Sequence, residues 1–242
     1  MSYSSFRLAS ATGLAAAAIT IGAACSRGDA AAKPSNGSSA AAPASTAQAS
    51  AGNVTATATP AADSIAAKAD RGRILGDSSA KVWLVMASDF QCPFCKQWHD
   101  SSFANIVQKY VKPGRVRLAY LNMPLSIHQF AMPSAEAAMC ASVQNKFWPM
   151  HDSLFATQRI WERLQNPSSF FDTLANHNHV EMASWRTCVS KHQTQALIEA
   201  DYDRGRTTGV NSTPTFFVGS IKLTSADADV AGALDAALAK AK

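Results

Sequence analysis

Two residues separate Cys92 from Cys95, and this spacing is typical of a dithiol that cycles with a disulfide. The two thiols would lie one helical turn apart, close enough to form and release a disulfide. Only a thiolate attacks a disulfide efficiently, so the chemistry needs one sulfur that ionises readily and can be reached by a second thiol. The spacing therefore predicts thiol–disulfide exchange.

The segments on either side of the dithiol predict how it is positioned. An apolar run at residues 82–87 predicts a buried strand, and residues 96–110 predict a helix. Pro93 suits the first helical position, where its missing N–H is not needed. Cys92 would then lie at the helix N-terminus, where unpaired N–H groups and the helix dipole favour an anion. We therefore expect Cys92 to be the reactive thiol and Cys95 its partner.

Metal binding is the alternative use of these thiols. A structural zinc site needs a second pair of ligands at short spacing, and Cys140 and Cys188 do not supply one. His99 follows Cys95 by four positions and offers only a third ligand, and Lys96 excludes the haem-attachment motif. We expect neither a metal nor another cofactor.

Strand and helix patterns divide the domain into three parts. A βαβ unit comes first, with parallel strands and a right-handed crossover. Helix signals then dominate residues 131–208 and predict a subdomain of four or five helices, after which a hairpin and a last helix follow. The predicted strands are residues 74–77, 81–88, 115–121, 215–218 and 221–223, and the predicted last helix is 226–242.

Three local motifs stand in a fixed order along the domain. They are SDFQCPFC at residues 88–95, MCA at 139–141 with KFWPMHDSLF at 146–155, and GVNSTPTFFVG at 209–219. Together they resemble the DsbA-like branch of the thioredoxin superfamily, over roughly residues 72–242. The resemblance implies an α/β thioredoxin fold, βαβ then ββα, with an inserted all-helical subdomain at about 131–208.

The resemblance also implies roles for individual residues. In this superfamily the residue that matches Pro214 is a cis proline whose loop faces the dithiol. Thr213 precedes it and would pair through its backbone with an extended substrate. The alternative is a trans proline at the start of an edge strand. With Pro93 and Phe94, these two residues are the expected substrate-binding positions.

Some positions depart from that family pattern. Met86 stands where relatives often carry a buried acid that relays protons, and the nearest carboxylate, Asp89, either relays protons or simply ends the strand. The dithiol encloses Pro-Phe rather than Pro-His, so Cys92 lacks an imidazole neighbour, which Lys96 replaces only in part. We therefore expect the pKa of Cys92 to lie above the lowest values of such cysteines, which span about 3.5 to 7.5. No role is predicted for the other histidines, His128, His151, His177, His179 and His192.

The N-terminal segment predicts export. Residues 1–25 have a basic start, a short apolar run and small residues before Cys25, which is the layout of a signal peptide. Ala-Ala-Cys-Ser at residues 23–26 resembles a bacterial lipobox, so we expect Cys25 to carry lipid, the alternative being an ordinary signal cleaved nearby. Residues 26–64 are almost entirely small and polar and predict a disordered linker, which leaves residues 65–242 as the folded domain.

The chain has five cysteines. Assigning Cys25 to lipid leaves an even number in an exported domain, as a disulfide-permissive compartment predicts. Cys92 and Cys95 form one pair, so we expect Cys140 and Cys188 to form a structural disulfide worth about 4 kcal/mol in the chain-entropy model. The alternative is two separate buried thiols that act as small apolar residues.

These observations lead to one expected function and its rivals. We expect an exported thiol:disulfide oxidoreductase in the periplasm or on the extracytoplasmic face of a membrane. It would oxidise protein thiols and be reoxidised by a membrane partner, with the lipid on Cys25 as its anchor. The mild net charge of +5 is scattered, which argues against nucleic-acid binding. The alternatives are a disulfide reductase or isomerase, and a non-enzymatic lipoprotein that binds copper or senses redox state.

Overall fold

A five-stranded mixed sheet carries the dithiol just beyond its second strand. The computed structural model describes residues 64–241, so the predicted signal, linker and lipidated Cys25 lie outside the described residues. The sheet order is β1-β3-β2-β4-β5, in which β2 and β3 are parallel and the other neighbours antiparallel. This confirms the predicted α/β order of βαβ and ββα. The strands are β1 Ile74–Leu75, β2 Val82–Ser88, β3 Val116–Asn122, β4 Thr215–Val218 and β5 Ile221–Thr224.

The two central strands set the edge on which the site is built. Met86 of β2 lies opposite Tyr120 of β3, and Ser88 lies opposite Asn122. All four side chains are buried, so helices cover the sheet at this end. Because β2 and β3 are parallel, their carboxyl ends lie side by side. The turn after β2 and the loop after β3 therefore begin at the same edge.

The helix that begins at the dithiol is not a regular α-helix. In a regular α-helix Trp98 and Phe103 would lie about 140° apart around the axis. A wider π-helical turn brings both side chains into the core, where they are 1% and 7% exposed. The structure confirms the helix predicted over residues 96–110, and adds that two of its stretches are π-helical. The segment consists of α2 (Pro93–Trp98), a π-helical stretch (His99–Phe103), α3 (Ala104–Ile106) and a second π-helical stretch (Val107–Val111).

Six helices form the insertion between β3 and β4, which is more than the four or five predicted. The additional one, α6, is a single turn. The insertion buries large aromatic side chains, including Phe147, Phe155, Trp185 and Trp161, the last of which belongs to α6. The helices are α4 Ala131–Ser142, α5 Phe147–Ala156, α6 Gln158–Trp161, α7 Ser168–His177, α8 Met182–Ser190 and α9 Gln195–Thr207.

Two further helices flank this core. Helix α1 (Ile65–Gly72) precedes the first strand and was not predicted, and α10 (Val230–Lys240) is the last helix. Helix α1 packs closely on α4, because a Cβ atom at Gly72 would lie 2.3 Å from the Ser142 carbonyl oxygen. The Ser142 hydroxyl also donates to the Ala69 carbonyl at 2.6 Å. None of the helices within residues 64–241 is both long enough and apolar enough to cross a membrane.

Candidate dithiol active site

A tight turn presents Cys92 at the start of α2. The Cys92 N–H donates to the Asp89 carbonyl at 3.1 Å, and the Cys92 backbone is extended, with φ −69° and ψ 123°. Pro93 follows as the first helical residue, in agreement with its prediction. The backbone N–H groups of Phe94 and Cys95 face the Cys92 sulfur. Cys92 therefore occupies the position at which a helix stabilises an anion.

Both thiols are free, and both are nearly covered. Cys92 keeps 3% of its surface exposed and Cys95 keeps 2%. Between them in sequence, the Phe94 side chain is 60% exposed. A second thiol can therefore reach only a small part of Cys92, and it must do so beside an exposed aromatic ring.

The surroundings of Cys92 lower its pKa to about 6. The largest cause is a hydrogen bond from the Cys95 thiol, which favours the thiolate and outweighs the opposing effect of burial. Thr213 and the two backbone N–H groups add to the stabilisation. The thiolate is therefore the main form of Cys92 at neutral pH, and its pKa lies above the lowest values of reactive cysteines, as expected.

The pKa of Cys95 is shifted in the opposite direction. Burial raises the pKa of Cys95 well above its usual value, and the hydrogen bond and charge of Cys92 raise it further. The backbone of Asp89 and the hydroxyl of Ser88 oppose this rise only in part. The pair thus consists of an anionic nucleophile and a thiol that holds its proton, which is the asymmetry that directed disulfide exchange requires.

A proline loop closes the site from the other side. The Thr213–Pro214 peptide bond is cis. The Cys92 sulfur lies 3.5 Å from the Thr213 carbonyl oxygen, to which its protonated form can donate, and Thr213 is 6% exposed. The loop leads directly into β4, which pairs with β2 in the sheet. The fold thus brings the two regions that the sequence singled out, 121 residues apart, into contact at one sulfur.

The Asp89 side chain links the dithiol turn to the loop after β3 through hydrogen bonds. Its side chain is fully buried and accepts from the N–H groups of Gln91 at 2.8 Å and Leu125 at 3.0 Å. The third donor is the Nδ1 atom of His128, at 2.7 Å. The sequence left a polar strand end and a proton relay open for Asp89, and its contacts are those of an anion that ties two loops together. No role was predicted for His128, because nothing in its spacing from Asp89 reveals that the loops meet.

Lys96 does not act as the predicted neighbour of Cys92. Its ammonium group donates to the Phe155 carbonyl at 2.8 Å and pairs with Asp100 at 2.9 Å. Asp100 lies one turn further along the helix, away from its start. The sequence predicted that Lys96 replaces an imidazole at the dithiol only in part, and these contacts hold its ammonium group on other partners.

Gln158 is a second residue that the sequence did not reveal. It is 1% exposed, and its Nε2 group donates to the Phe90 carbonyl at 2.6 Å and the Cys92 carbonyl at 3.1 Å. Helix α6 thereby holds the dithiol turn from the side of the insertion. A lone glutamine carries no sequence signal for such a role, since the contact spans more than 60 residues.

The other two cysteines form a disulfide. The S–S distance of Cys140 and Cys188 is 2.00 Å, and their Cα atoms are 5.8 Å apart. The bond joins α4 to α8, and both residues are buried. The Cys140 sulfur lies 3.7 Å from the Thr194 hydroxyl oxygen. This pair lies within the helical insertion, whereas the dithiol lies at the edge of the sheet.

A potential metal-ligand group lies further along the dithiol helix. Ligand atoms of His99, His151 and Asp152 lie within 4.8 Å of one another. Asp152 is 3.3 Å from His99 Nε2 and 2.8 Å from His151 Nδ1, and these contacts help lower the pKa of Asp152 to about 2 despite burial, which raises it. These contacts are hydrogen bonds between the side chains themselves, and burial lowers the pKa of His151, which favours its neutral form. His99 therefore faces this cluster and Asp100 rather than forming a three-ligand set with the two thiols.

Comparison with known proteins identifies the family. A family model described as thioredoxin matches residues 68–236, more than half of the chain. The Na(+)/H(+) antiporter NhaA 3 of Salinispora tropica is 31% identical over 150 residues, which is 62% of this chain and 22% of that protein. Disulfide bond formation protein D of Bacillus subtilis is 24% identical over 152 residues, 60% of this chain and 66% of that protein. The chain thus spans less than two-thirds of either relative.

A solved structure extends the comparison to the fold. The crystal structure of α-DsbA1 from Wolbachia pipientis has a TM-score of 0.62 to this chain at 18% identity, covering 70% of this chain and 92% of that one. At that identity the likeness concerns the fold alone, and it includes the helical insertion into the sheet. With the match of the family model, these observations establish that the chain belongs to the thioredoxin family and has the fold of its DsbA-like members.

Proposed function

We propose that this protein is a thiol:disulfide oxidoreductase that uses Cys92 and Cys95 to exchange disulfides with protein thiols. The observation that carries the proposal is that the pKa values of the two thiols shift in opposite directions. The pKa of Cys92 is lowered to about 6, and that of Cys95 is raised. A structural or metal-binding pair has no need of this asymmetry. The name of the Bacillus subtilis relative, a disulfide bond formation protein, supports the same chemistry.

In the oxidase direction the cycle starts from a Cys92–Cys95 disulfide. A substrate thiolate attacks the Cys92 sulfur, a mixed disulfide forms, and Cys95 leaves and takes up a proton, as its raised pKa favours. A second substrate thiolate then attacks the substrate sulfur of the mixed disulfide. Cys92 departs as a thiolate, the substrate has gained a disulfide, and two electrons now reside in the dithiol.

The low pKa of Cys92 supports the oxidase direction over the reductase or isomerase direction. A stabilised thiolate makes the reduced enzyme the favoured product, so it draws disulfides towards substrates. A value of about 6 is higher than that of the most oxidising members of this superfamily. We therefore expect an oxidant of intermediate strength.

Exposed apolar residues around the dithiol fit a protein substrate. Phe94 is 60% exposed and Ile160, on α6, is 55% exposed. A cleft beside α2 and α6 is lined by Pro93, Phe94, Gln158 and Arg159 among others. An extended peptide that pairs with the Thr213 backbone would run along this surface and bring its cysteine to Cys92.

Export and membrane attachment form a separate part of the proposal. The Cys140–Cys188 disulfide supports an oxidising compartment such as the periplasm, because cytosolic thiols are kept reduced. Attachment through lipid on Cys25 and reoxidation by a membrane partner complete it. Mass spectrometry of the membrane fraction tests the lipid, and an unmodified chain that begins beyond Cys25 would rule it out.

Reoxidation of reduced ribonuclease tests the activity and its direction. We expect the protein to restore ribonuclease activity and Cys92→Ser to abolish this, whereas Ser169→Ala, an exposed change on α7, leaves it intact. Equilibration with glutathione then gives the reduction potential. A value near −270 mV would reverse the proposed direction, since that is the range of reductants, and values near −120 mV mark the strongest oxidants. Tight Cu(I) binding without exchange would favour the copper-binding alternative.

A further inference from the structure

The loop that follows β3 is tied to the dithiol turn by three hydrogen bonds. Asp89 Oδ2 accepts from the Leu125 N–H at 3.0 Å and from His128 Nδ1 at 2.7 Å. The Phe130 N–H donates to the Gln91 side chain at 2.6 Å. His128 is thereby fixed beside the turn that presents the reactive thiol, although it lies on a different connection of the sheet.

The contacts of Asp89 dictate the state of the imidazole. Three N–H donors and no acceptor surround this buried carboxylate, an arrangement suited to an anion. Nδ1 of His128 must therefore carry a hydrogen, and the buried negative charge favours a second proton on the ring. The His128 side chain is 16% exposed, so its ring can still exchange protons with solvent.

The dithiol motif supplies no cation of its own. Pro93 and Phe94 carry no ionisable group, and Lys96 is held by the Phe155 carbonyl and Asp100. Three titratable groups act on His128: Asp89 at the end of β2, Cys92 at the start of α2, and Glu162 just after α6. All three raise its pKa, Asp89 most strongly, against the effect of burial.

We propose that His128, held by Asp89, is the electrostatic partner of Cys92, and that its imidazolium stabilises the thiolate from the loop after β3. Coupling between two charges is reciprocal: a thiolate that favours the imidazolium is itself favoured by it to the same extent. His128 touches neither thiol through a hydrogen bond, so it is a positioning residue that tunes Cys92 rather than a catalytic one. The inference rests on the proposed function only in that Cys92 must ionise.

Two substitutions separate the effect of the His128 charge from that of its hydrogen bond to Asp89. His128→Asn can keep a donor to Asp89 but loses the positive charge, whereas His128→Ala loses both. His177→Asn, on the exposed end of α7, is the matched control. We expect His128→Asn to lower the thiolate-to-thiol ratio of Cys92 at pH 6 by about threefold, the size of a partly screened charge pair. The control should leave the ratio unchanged.

The redox equilibrium with glutathione provides the pH dependence. At pH 7 the variant should favour its dithiol form about threefold less, which corresponds to a potential about 14 mV more negative. At a pH above the end of the His128 titration, which NMR locates, the imidazole is neutral in the parent protein and the two potentials should coincide. A purely structural role would shift the potential equally at both pH values, and that result would overturn the proposal.

Titration of the His128 ring by NMR provides a test that needs no substrate. The ring pKa should be lower in Cys92→Ser than in the reduced parent, because serine cannot supply the thiolate charge. Equal ring pKa values would refute the coupling. If both titrations shift as expected but reduced ribonuclease is not reoxidised, the coupling stands and the proposed function fails.

Discussion

The chain holds two cysteine pairs that are equally buried and chemically opposite. Cys140 and Cys188 are 1% and 4% exposed and are joined by a disulfide, whereas Cys92 and Cys95 are 3% and 2% exposed and are free. Solvent exposure therefore does not distinguish the disulfide-bonded pair from the free, reactive pair.

The difference lies in the dipoles and hydrogen bonds around each pair. Cys92 stands before the first turn of α2, where backbone N–H groups, the Cys95 thiol and the cis-proline loop meet at its sulfur. Cys140 and Cys188 sit inside α4 and α8, where the helices satisfy their own N–H groups. Reactivity in this fold follows from the position of a thiol in a helix more than from its contact with water.

Removing each pair in turn should give opposite phenotypes and the largest effects. Cys140→Ala with Cys188→Ala should lower the free energy of unfolding by about 2–5 kcal/mol and leave exchange by the folded protein intact. Cys92→Ala with Cys95→Ala should abolish exchange and cost much less stability, because no crosslink is lost. Urea unfolding and ribonuclease reoxidation measure the two properties. If the first variant is folded but no longer exchanges disulfides, the Cys140–Cys188 disulfide contributes to activity and the two pairs are not functionally separate.

Changing Cys95 should show how much of the Cys92 thiolate depends on its partner. The folded pKa of Cys92 is lowered, so its alkylation rate should be high above pH 7 and fall as the pH drops through about 6. Cys95→Ala removes the main donor and should move this midpoint upwards by about one pH unit or more, the worth of a hydrogen bond to a charged group.

Cys95→Ser is the matched control for that experiment. Its hydroxyl can still donate, so its midpoint should lie between those of the parent and the alanine variant. If serine and alanine give the same midpoint, the helix and the proline loop rather than Cys95 account for the low pKa. The alkylation rates of all three proteins should converge at high pH, where every Cys92 is ionised.

The smallest effect is expected at Lys96. Lys96→Met removes a cation close to the dithiol in sequence, but that cation binds the Phe155 carbonyl and Asp100. The alkylation midpoint of Cys92 should therefore move by less than about 0.2 pH units, while stability falls by about 1 kcal/mol, as for an ion pair whose acidic partner is half exposed. A shift as large as that of His128→Asn would mean that helix charges, not the loop after β3, tune the thiolate.

The sequence predicts the elements of the fold well, since the strands and their order follow from local patterns. Helix α1 escaped prediction because Ile65–Gly72 is short and mostly made of alanine and charged residues, so its apolar face shows only once it packs on α4. The π-helical stretches were not predicted either, because they depend on the packing of Trp98 and Phe103 and not on the local composition of the sequence.

The residues of the candidate site likewise fall into those that local sequence predicts and those that only the folded structure brings together. Residues close to the dithiol in sequence, such as Pro93, could be placed from spacing alone. Gln158 and His128 could not, because each reaches the turn across more than 35 residues through a single long-range hydrogen-bond group. Lys96 shows the converse error, since closeness in sequence does not fix where a flexible side chain bonds.

The π-helical stretches have a consequence for how the chain tolerates changes in length. Each stretch accommodates a residue that a regular helix of the same span would not hold. Deleting one residue between His99 and Phe103 would restore regular winding and leave the residues beyond it on nearly the same faces, because four α-helical residues turn through about 400°. Tyr110, now fully buried with its hydroxyl 3.2 Å from the Ala231 carbonyl oxygen, would therefore stay on the buried side of the helix. The helix should thus tolerate the loss of one residue within a π-helical stretch better than the loss of one within α2, where the same deletion would turn the rest of the helix by about 100°.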